Sequence, residues 1–189
     1  MSYSESPPPP LSRASLVIGL YGAMGIVAFL IAAGRGDPDL YRLGGSPAAW
    51  QLAVGPAIGV ALGLAVVGGT RLATHHFQWA RELHTSFRDL LGPLASREIL
   101  ILAIASSIGE ELLFRGALLP WFGLWWQGLV FALLHVGPGR RFLPWTLSAF
   151  VLGIAFGALA QETGNLGGPI AAHFTINFLN LRYITATKP

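Results

Sequence analysis

The sequence predicts an all-α protein, a polytopic membrane helix bundle with about six transmembrane helices and one interfacial amphipathic helix. Charged residues make up 11% of the 189 residues, less than half of the roughly 25% that is usual in soluble domains. Hydrophobic residues make up 53%, and uncharged runs of about the length that a bilayer requires recur along the chain. Since so little charge cannot cover a globular surface, we expect much of the apolar surface to face lipid.

The composition also excludes several functions. The net charge of +3 comes from a few arginines scattered between apolar runs, whereas a nucleic-acid-binding protein needs a dense basic face with exposed aromatic side chains. We therefore expect the lipid bilayer, and no nucleic acid, as a partner. The chain has no cysteine, which excludes disulfides, thiol nucleophiles and thiolate metal sites.

The first half of the chain is predicted to hold a tail and two membrane helices. Residues 1–13 are rich in Ser and Pro and are expected to be a disordered tail. Residues 14–70 form the N-terminal two-helix membrane region, with spans at Leu16–Ala33 and Ala48–Val67. The first span is interpreted as a retained helix rather than a cleaved signal, because more spans follow it.

The next segment, 71–92, has a different character and is predicted to lie in the membrane interface. Apolar and aromatic side chains recur at three- and four-residue intervals with charged residues between them, and Gly92-Pro93 ends the pattern. One apolar stripe with charged flanks is typical of a helix that lies on a membrane surface. The histidines here, His75, His76 and His84, match no familiar metal-site spacing and are expected to face solvent or headgroups.

The remaining region, 97–182, is predicted to be a catalytic helical core. Its spans are predicted at Ile99–Leu119, Trp121–Val136, Leu143–Ala160 and Leu166–Leu181, with Pro120 separating the first two.

Charge placement predicts the orientation of these spans. With the N-terminus inside, nine of the twelve Lys and Arg residues fall on the inner side: Arg13, Arg71, Arg81, Arg88, Arg97, Arg140, Arg141, Arg182 and Lys188. Since basic residues concentrate in cytoplasmic loops, we expect a multi-pass protein of the inner (plasma) membrane with both termini in the cytoplasm.

A run of charged residues interrupts the first of these core spans. Glu111 and Arg115 are four residues apart and hence neighbours on one helix face, whereas Glu110 is rotated by about 100°. The arginine can neutralise Glu111, and an ion pair that only locks two helices would explain both residues. Such a pair leaves Glu110 costly within a membrane, and a poorly solvated free carboxylate is suited to general base catalysis.

Two further spans carry histidines. Phe131 and His135 share one helix face, as do His173 and Asn177. An Asn side chain can hold an imidazole tautomer or stabilise an oxyanion, although His and Asn also serve as hydrogen-bonding groups between membrane helices. Three polar clusters on three spans indicate one buried polar centre that can hold a water.

The three motifs together resemble the CPBP family of intramembrane proteases, which groups CAAX prenyl endopeptidases with bacteriocin-processing and immunity relatives. The family motifs EExxxR, FxxxH and HxxxN appear in order, as Glu110 to Arg115, Phe131 to His135 and His173 to Asn177. The resemblance covers about residues 97 to 181 and implies a fold in which these helices surround an intramembrane catalytic site.

The resemblance also implies roles for these residues. Glu110 would activate water, His135 would help to hold that water, and His173 with Asn177 would bind the substrate carbonyl and stabilise the oxyanion. Glu111, Arg115 and Phe131 would be supporting residues.

The cofactor stays open between two descriptions of the family. Glu110, His135 and His173 could supply three protein ligands to a catalytic Zn²⁺, and the family is often called metalloprotease. The chain has no HExxH motif, and a Glu/His pair can activate water without an ion, so the metal-free alternative is favoured.

The expected function is endopeptidase cleavage of a membrane-anchored or lipidated protein or peptide. The charge count places Glu110 in the outer half of the bilayer, which suits a myxosortase-like enzyme that cuts C-terminal sorting signals better than a CAAX protease. Two alternatives are a non-catalytic binding or immunity protein of the same fold, and a small proton-coupled transporter. Transporters often have repeated halves, and the sequence shows no internal repeat.

Overall fold

The computed structural model describes residues 12–44 and 48–187, and this part of the chain is helical, which confirms the predicted class. The α-helices are α1 (Arg13–Gly34), α2 (Ala49–His76), α3 (Gln78–Leu91), α4 (Ser96–Glu111), α5 (Leu119–Leu133), α6 (Leu143–Thr163) and α7 (Gly167–Ala186). A π-helical segment (Leu112–Leu118) joins α4 to α5, and a 3₁₀ turn (Arg140–Phe142) precedes α6. The predicted N-terminal tail lies outside the described residues up to position 11.

Three helical stretches of the described chain are long and apolar enough to cross a membrane: α1, α2 and Arg140–Thr163. A fourth stretch qualifies only when α3 is taken together with Ser96–Leu133, from which it is bent by 104°. The number of passes and the side of each terminus stay predictions.

The second helix is longer than the sequence predicted. The span was predicted to end at Val67, just before Gly68-Gly69, but α2 continues to His76, so that the predicted interfacial helix, α3, starts at Gln78 rather than at residue 71. Two glycines cost a helix only about 1 kcal/mol each. Contacts beyond them offset this cost, since the Arg71 guanidinium donates hydrogen bonds to the Asn180 side chain at 2.9 Å and to the Leu179 carbonyl at 2.9 Å.

A stripe of glycines on α2 sets the position of α7. Gly55, Gly59 and Gly63 are buried and spaced by four residues. A Cβ atom on Gly59 would lie 2.0 Å from the Gly168 carbonyl oxygen, and one on Gly63 would lie 2.9 Å from the Ala172 carbonyl oxygen. Small residues at this spacing let membrane helices pack with their backbones in contact. The stripe therefore fixes α7, and with it the residues that α7 contributes to the site.

The predicted break at Pro120 is wrong, because the chain bends three residues later. Pro120 lies in the first turn of α5, and Gly123 has a left-handed φ of 77°. A proline in the first turn loses no helical hydrogen bond of its own, and the carbonyl of Gly116, four residues earlier, accepts one from Arg35 at 3.3 Å. After Gly123, α5 runs only to Leu133, about 15 Å, which is half the hydrocarbon thickness.

The interfacial helix α3 packs on the C-terminal end of α7. The Nε2 atom of His84 lies 3.2 Å from the Thr187 carbonyl oxygen, and the His84 ring makes an edge contact with Tyr183. Arg88 donates to the same carbonyl. His84 was expected to be solvated, but only 5% of its surface is exposed. This burial lowers the pKa of His84, since the charged ring loses hydration.

Candidate active site

The acidic pair lies at the end of α4, where the π-helical segment begins. Glu110 and Glu111 are both buried, with exposed fractions of 7% and 0%. The preceding residue has to be glycine, because a Cβ on Gly109 would lie 2.9 Å from the Tyr21 carbonyl oxygen and from its Cβ. The α1 backbone therefore passes directly over the acidic pair.

Glu111 forms the predicted ion pair with Arg115. The two side chains are fully buried, and the Arg115 Nη1 atom donates to Glu111 Oε1 at 2.9 Å. The same oxygen accepts a hydrogen bond from His173 Nδ1 at 2.7 Å. The guanidinium group also donates to the Gly153 carbonyl at 3.2 Å and lies 4.4 Å from the centre of the Phe131 ring. Glu111 therefore ties α4 to α7 and holds one imidazole in place.

Glu110 is the carboxylate that the arginine does not reach. Its Oε2 atom lies 3.6 Å from His135 Nε2 and 3.8 Å from His173 Nε2. That oxygen is buried and has no hydrogen-bond partner among residues 12–44 and 48–187. The structure therefore brings the acid and both imidazoles, from three helical regions, to one point.

The hydrogen bonds at the far side of each ring decide which way the imidazole protons point. His135 Nδ1 donates to the Phe131 carbonyl at 2.7 Å, and His173 Nδ1 donates to the Glu111 carboxylate. A carbonyl and a carboxylate can only accept, so each neutral ring carries its proton on Nδ1 and directs the Nε2 lone pair to Glu110. Three acceptor atoms thus face one another.

The predicted oxyanion residue Asn177 lies one helical turn beyond His173 and does not hydrogen-bond to the acid. Its Nδ2 atom donates to Ser106 Oγ at 2.9 Å, and Ser106 lies one turn before Glu110 on α4. The contact holds α7 against α4 and occupies one of the two amide N–H groups of Asn177.

A cavity of about 270 Å³ opens beside Glu110 and His135. It is lined by Leu20, Tyr21, Met24, Glu110, Phe114, Leu134, His135 and Trp145. The lining is mostly apolar, with a few polar groups, as in sites that bind an apolar ligand and orient it by a small number of hydrogen bonds.

The cavity adjoins the interfacial helix. The Trp145 ring lies 5.1 Å from the His135 ring and 5.1 Å from the Phe87 ring of α3, measured between centroids. These ring contacts bring His135, just after α5, close to α3. That Glu110 lies in the outer half of the bilayer stays a prediction.

Sequence reasoning missed four residues that shape the site. Tyr21 lines the cavity, Ser106 binds Asn177, and the Thr146 hydroxyl donates to the His135 carbonyl at 2.7 Å. Gln127 is fully buried and donates to the Gly153 carbonyl at 2.9 Å. Gln127 could have been identified from the sequence, since it is a lone polar residue in an apolar run. The other three look like ordinary helix residues in the sequence.

Glu110, His135 and His173 are also the candidate ligands of a metal ion. In the two described stretches, no group of three or more His, Cys, Asp or Glu side chains is arranged to hold one. The assignment of Zn²⁺ to these three residues stays a prediction.

Comparison with known proteins agrees with this geometry. Residues 93–179 match the family described as type II CAAX prenyl endopeptidase Rce1-like. An uncharacterized protein of Bacillus subtilis (strain 168), YpbD, is 41% identical over 81 residues, which is 42% of this chain and 41% of the relative. The chain thus matches well under half of that relative's length. No solved structure matches.

The matched residues begin just before α4 and continue into α7, so they include all three motifs. This confirms the resemblance that the motifs predicted. Residues 93–179 of this chain are therefore similar to the Rce1-like type II CAAX prenyl endopeptidases.

Proposed function

We propose that this protein is an intramembrane endopeptidase that hydrolyses a peptide bond in a membrane-anchored or lipidated protein, using a water activated by Glu110. The observation that carries the proposal is the buried Glu110 oxygen, which has no hydrogen-bond partner in the described chain and two imidazole Nε2 atoms within 4 Å. The family of residues 93–179 supports an endopeptidase in general.

The convergence of three acceptors suits a water molecule. A water donates two hydrogen bonds, so it can bind the Glu110 carboxylate and one imidazole at once. Glu110 then takes a proton as the water oxygen bonds to the carbonyl carbon of the substrate. When the C–N bond breaks, protonated Glu110 returns that proton to the leaving amine, so that one water is consumed and the carboxylate is restored.

The surrounding residues hold these groups at their positions. Glu111, fixed by Arg115, orients the His173 ring, and the Phe131 carbonyl orients the His135 ring. Such partners fix the tautomer and the orientation of each imidazole.

The position of the cavity supports a substrate presented from the α3 side of the membrane. The cavity wall at Trp145 contacts Phe87 of α3, and the arginines of α3 predict that this side faces the cytoplasm. A lipidated C-terminal segment of the CAAX type, which is attached to the cytoplasmic leaflet, fits this arrangement better than an outer sorting signal. Vesicles that are reconstituted with substrate on a single face distinguish a cytoplasmic substrate from an outer one.

The central test compares Glu110→Gln with the unmodified protein on a lipidated C-terminal peptide in vesicles. Gln keeps the shape and cannot take the proton, so the cleavage rate should fall about 10²- to 10⁴-fold. Glu162→Gln, at an exposed position on α6, is the matched control and should cleave normally. Equal cleavage by Glu110→Gln would remove Glu110 from the mechanism.

Two further measurements separate this mechanism from the metalloprotease and the binding-protein alternatives. Cleavage that persists in excess EDTA and 1,10-phenanthroline supports water activation without an ion, whereas loss that Zn²⁺ restores supports the metalloprotease alternative. Binding of the peptide with no cleavage by the unmodified protein supports a binding or immunity protein.

A further inference from the structure

The first helix contributes a polar side chain to the cavity from outside the matched domain. Tyr21 lies on α1, more than 70 residues before the matched region begins at residue 93. Its side chain lines the same cavity as Glu110 and His135. The family motifs do not include this residue.

The packing of α1 on α4 brings Tyr21 into this position. The contact at Gly109 is closer than any residue with a side chain would allow. Leu20 and Met24, on either side of Tyr21, line the same cavity. The wall that α1 forms is thus apolar except for one hydroxyl.

Hydrolysis in this cavity requires a hydrogen-bond donor for the substrate oxygen. An attacked carbonyl becomes a negatively charged tetrahedral oxygen, which preorganised donors stabilise. Among the polar lining groups, Glu110 is an acceptor, and His135 has its N–H group bonded to the Phe131 carbonyl. The other donors in the cavity lining are the hydroxyl of Tyr21 and the indole N–H of Trp145.

Tyr21 is the better placed of the two. Trp145 packs edge to face against Phe87 and lies against Phe142 and His135, as a wall between the cavity and α3. Tyr21 instead packs on Gly109, the residue directly before Glu110, and lines the same cavity as the carboxylate that would activate the water. The attacking oxygen and the carbonyl oxygen of one substrate must lie within a few Å of each other, so a donor next to the base can reach both.

We propose that the Tyr21 hydroxyl donates a hydrogen bond to the oxygen of the scissile carbonyl, so that α1 supplies a catalytic residue to the Rce1-like domain. The inference rests on the proposed function. Tyr21 keeps its proton throughout: the carbonyl oxygen accepts the hydrogen bond as it becomes negative and is released from it when the C–N bond breaks.

The test measures peptide cleavage by Tyr21→Phe, Trp145→Phe and Glu110→Gln together with the unmodified protein. Loss of one oxyanion donor lowers kcat by about 10²- to 10³-fold, with a much smaller change in KM, so Tyr21→Phe should show this split. Trp145→Phe removes the other donor and should lower kcat less than Tyr21→Phe does, whereas Trp125→Phe, at an exposed position on α5, is the control that should cleave normally. A phosphinic peptide that mimics the tetrahedral intermediate should bind Tyr21→Phe more weakly by the same factor as kcat/KM, since such analogues report transition-state contacts.

The outcomes separate the two proposals. Normal kcat in Tyr21→Phe with an inactive Glu110→Gln overturns the role of Tyr21 and leaves the endopeptidase proposal intact. Normal cleavage by Glu110→Gln overturns the proposed function itself. If Tyr21→Phe does not fold, as judged by thermal unfolding in detergent, 3-fluorotyrosine at this position gives the second reading. It keeps the shape and donates more strongly, so kcat changes if the hydroxyl acts on the oxyanion and stays unchanged if it does not.

Discussion

Replacing Arg115 by Met should destabilise the protein strongly, because it leaves a carboxylate buried without its cation. Neither Arg115 nor Glu111 is exposed, and their ion pair measures 2.9 Å. Removal of one partner from a buried pair costs about 3–5 kcal/mol. The lost hydrogen bond to the Gly153 carbonyl and the lost contact with the Phe131 ring are part of that sum.

The double variant Arg115→Met with Glu111→Gln tests the cause of this loss. Gln keeps an oxygen that can accept from His173 Nδ1 but carries no charge, so the uncompensated carboxylate is gone. We expect the double variant to be more stable than Arg115→Met alone by on the order of 2 kcal/mol, since the single variant mainly suffers from the unpaired charge.

The free energy of unfolding would be measured in detergent micelles for both variants and for a surface control. Arg42 and Asp39 form an ion pair at 4.0 Å with about half of each side chain exposed, and Arg42→Met should cost less than about 1 kcal/mol. If Arg115→Met costs no more than Arg42→Met, or if the double variant is less stable than Arg115→Met, the reasoning about the buried charge is refuted.

Three further predictions follow from single contacts. Gly59→Ala would place a Cβ 2.0 Å from a carbonyl oxygen of α7 and should lower the free energy of unfolding by about 3 kcal/mol or more. Gly69→Ala, whose Cβ would have nothing within 4 Å, should be neutral or slightly stabilising. Equal changes in the free energy of unfolding for the two variants would contradict the packing of α2 on α7. Thr146→Val removes the 2.7 Å hydrogen bond to the His135 carbonyl and should lower kcat/KM while costing only about 1 kcal/mol of stability; an unchanged kcat/KM would show that this anchor is dispensable. Burial lowers the pKa of His84 in the folded state, so the unfolded chain binds more protons as the pH falls below about 6.5 and the stability of the folded state declines there. Unfolding midpoints measured from about pH 8 to 5 should decline less steeply in His84→Gln than in the unmodified protein. Parallel pH dependences for the two proteins would show that His84 does not cause the decline.

The all-α class and the chemical groups of the site were predictable because both depend on local spacing. A helix turns once in 3.6 residues, so two groups four residues apart share a face wherever the helix goes. This is why the Glu111–Arg115 pair and the shared faces of Phe131 with His135 appear in the structure as expected.

Helix boundaries were less predictable, because they depend on contacts that compete with local signals. Gly68-Gly69 and Pro120 looked like breaks, yet α2 continues through the first and α5 accommodates the second. In each case a distant group compensates: Arg71 bonds to α7, and Arg35 bonds to the carbonyl of Gly116. The actual bend lies at Gly123, and the sequence did not distinguish this glycine from the many others.

A helical membrane protein with a free carboxylate and two histidines on separate helices could be predicted from the order of the residues. The pairing of His173 with Glu111, the contact of Asn177 with Ser106 and the place of Tyr21 in the cavity wall emerge only in the packed bundle. They could not be predicted because the crossing and rotation of helices follow from the packing of all their side chains together, including small residues such as Gly59 and Gly109. No spacing along one helix encodes which side chain of another helix it will meet.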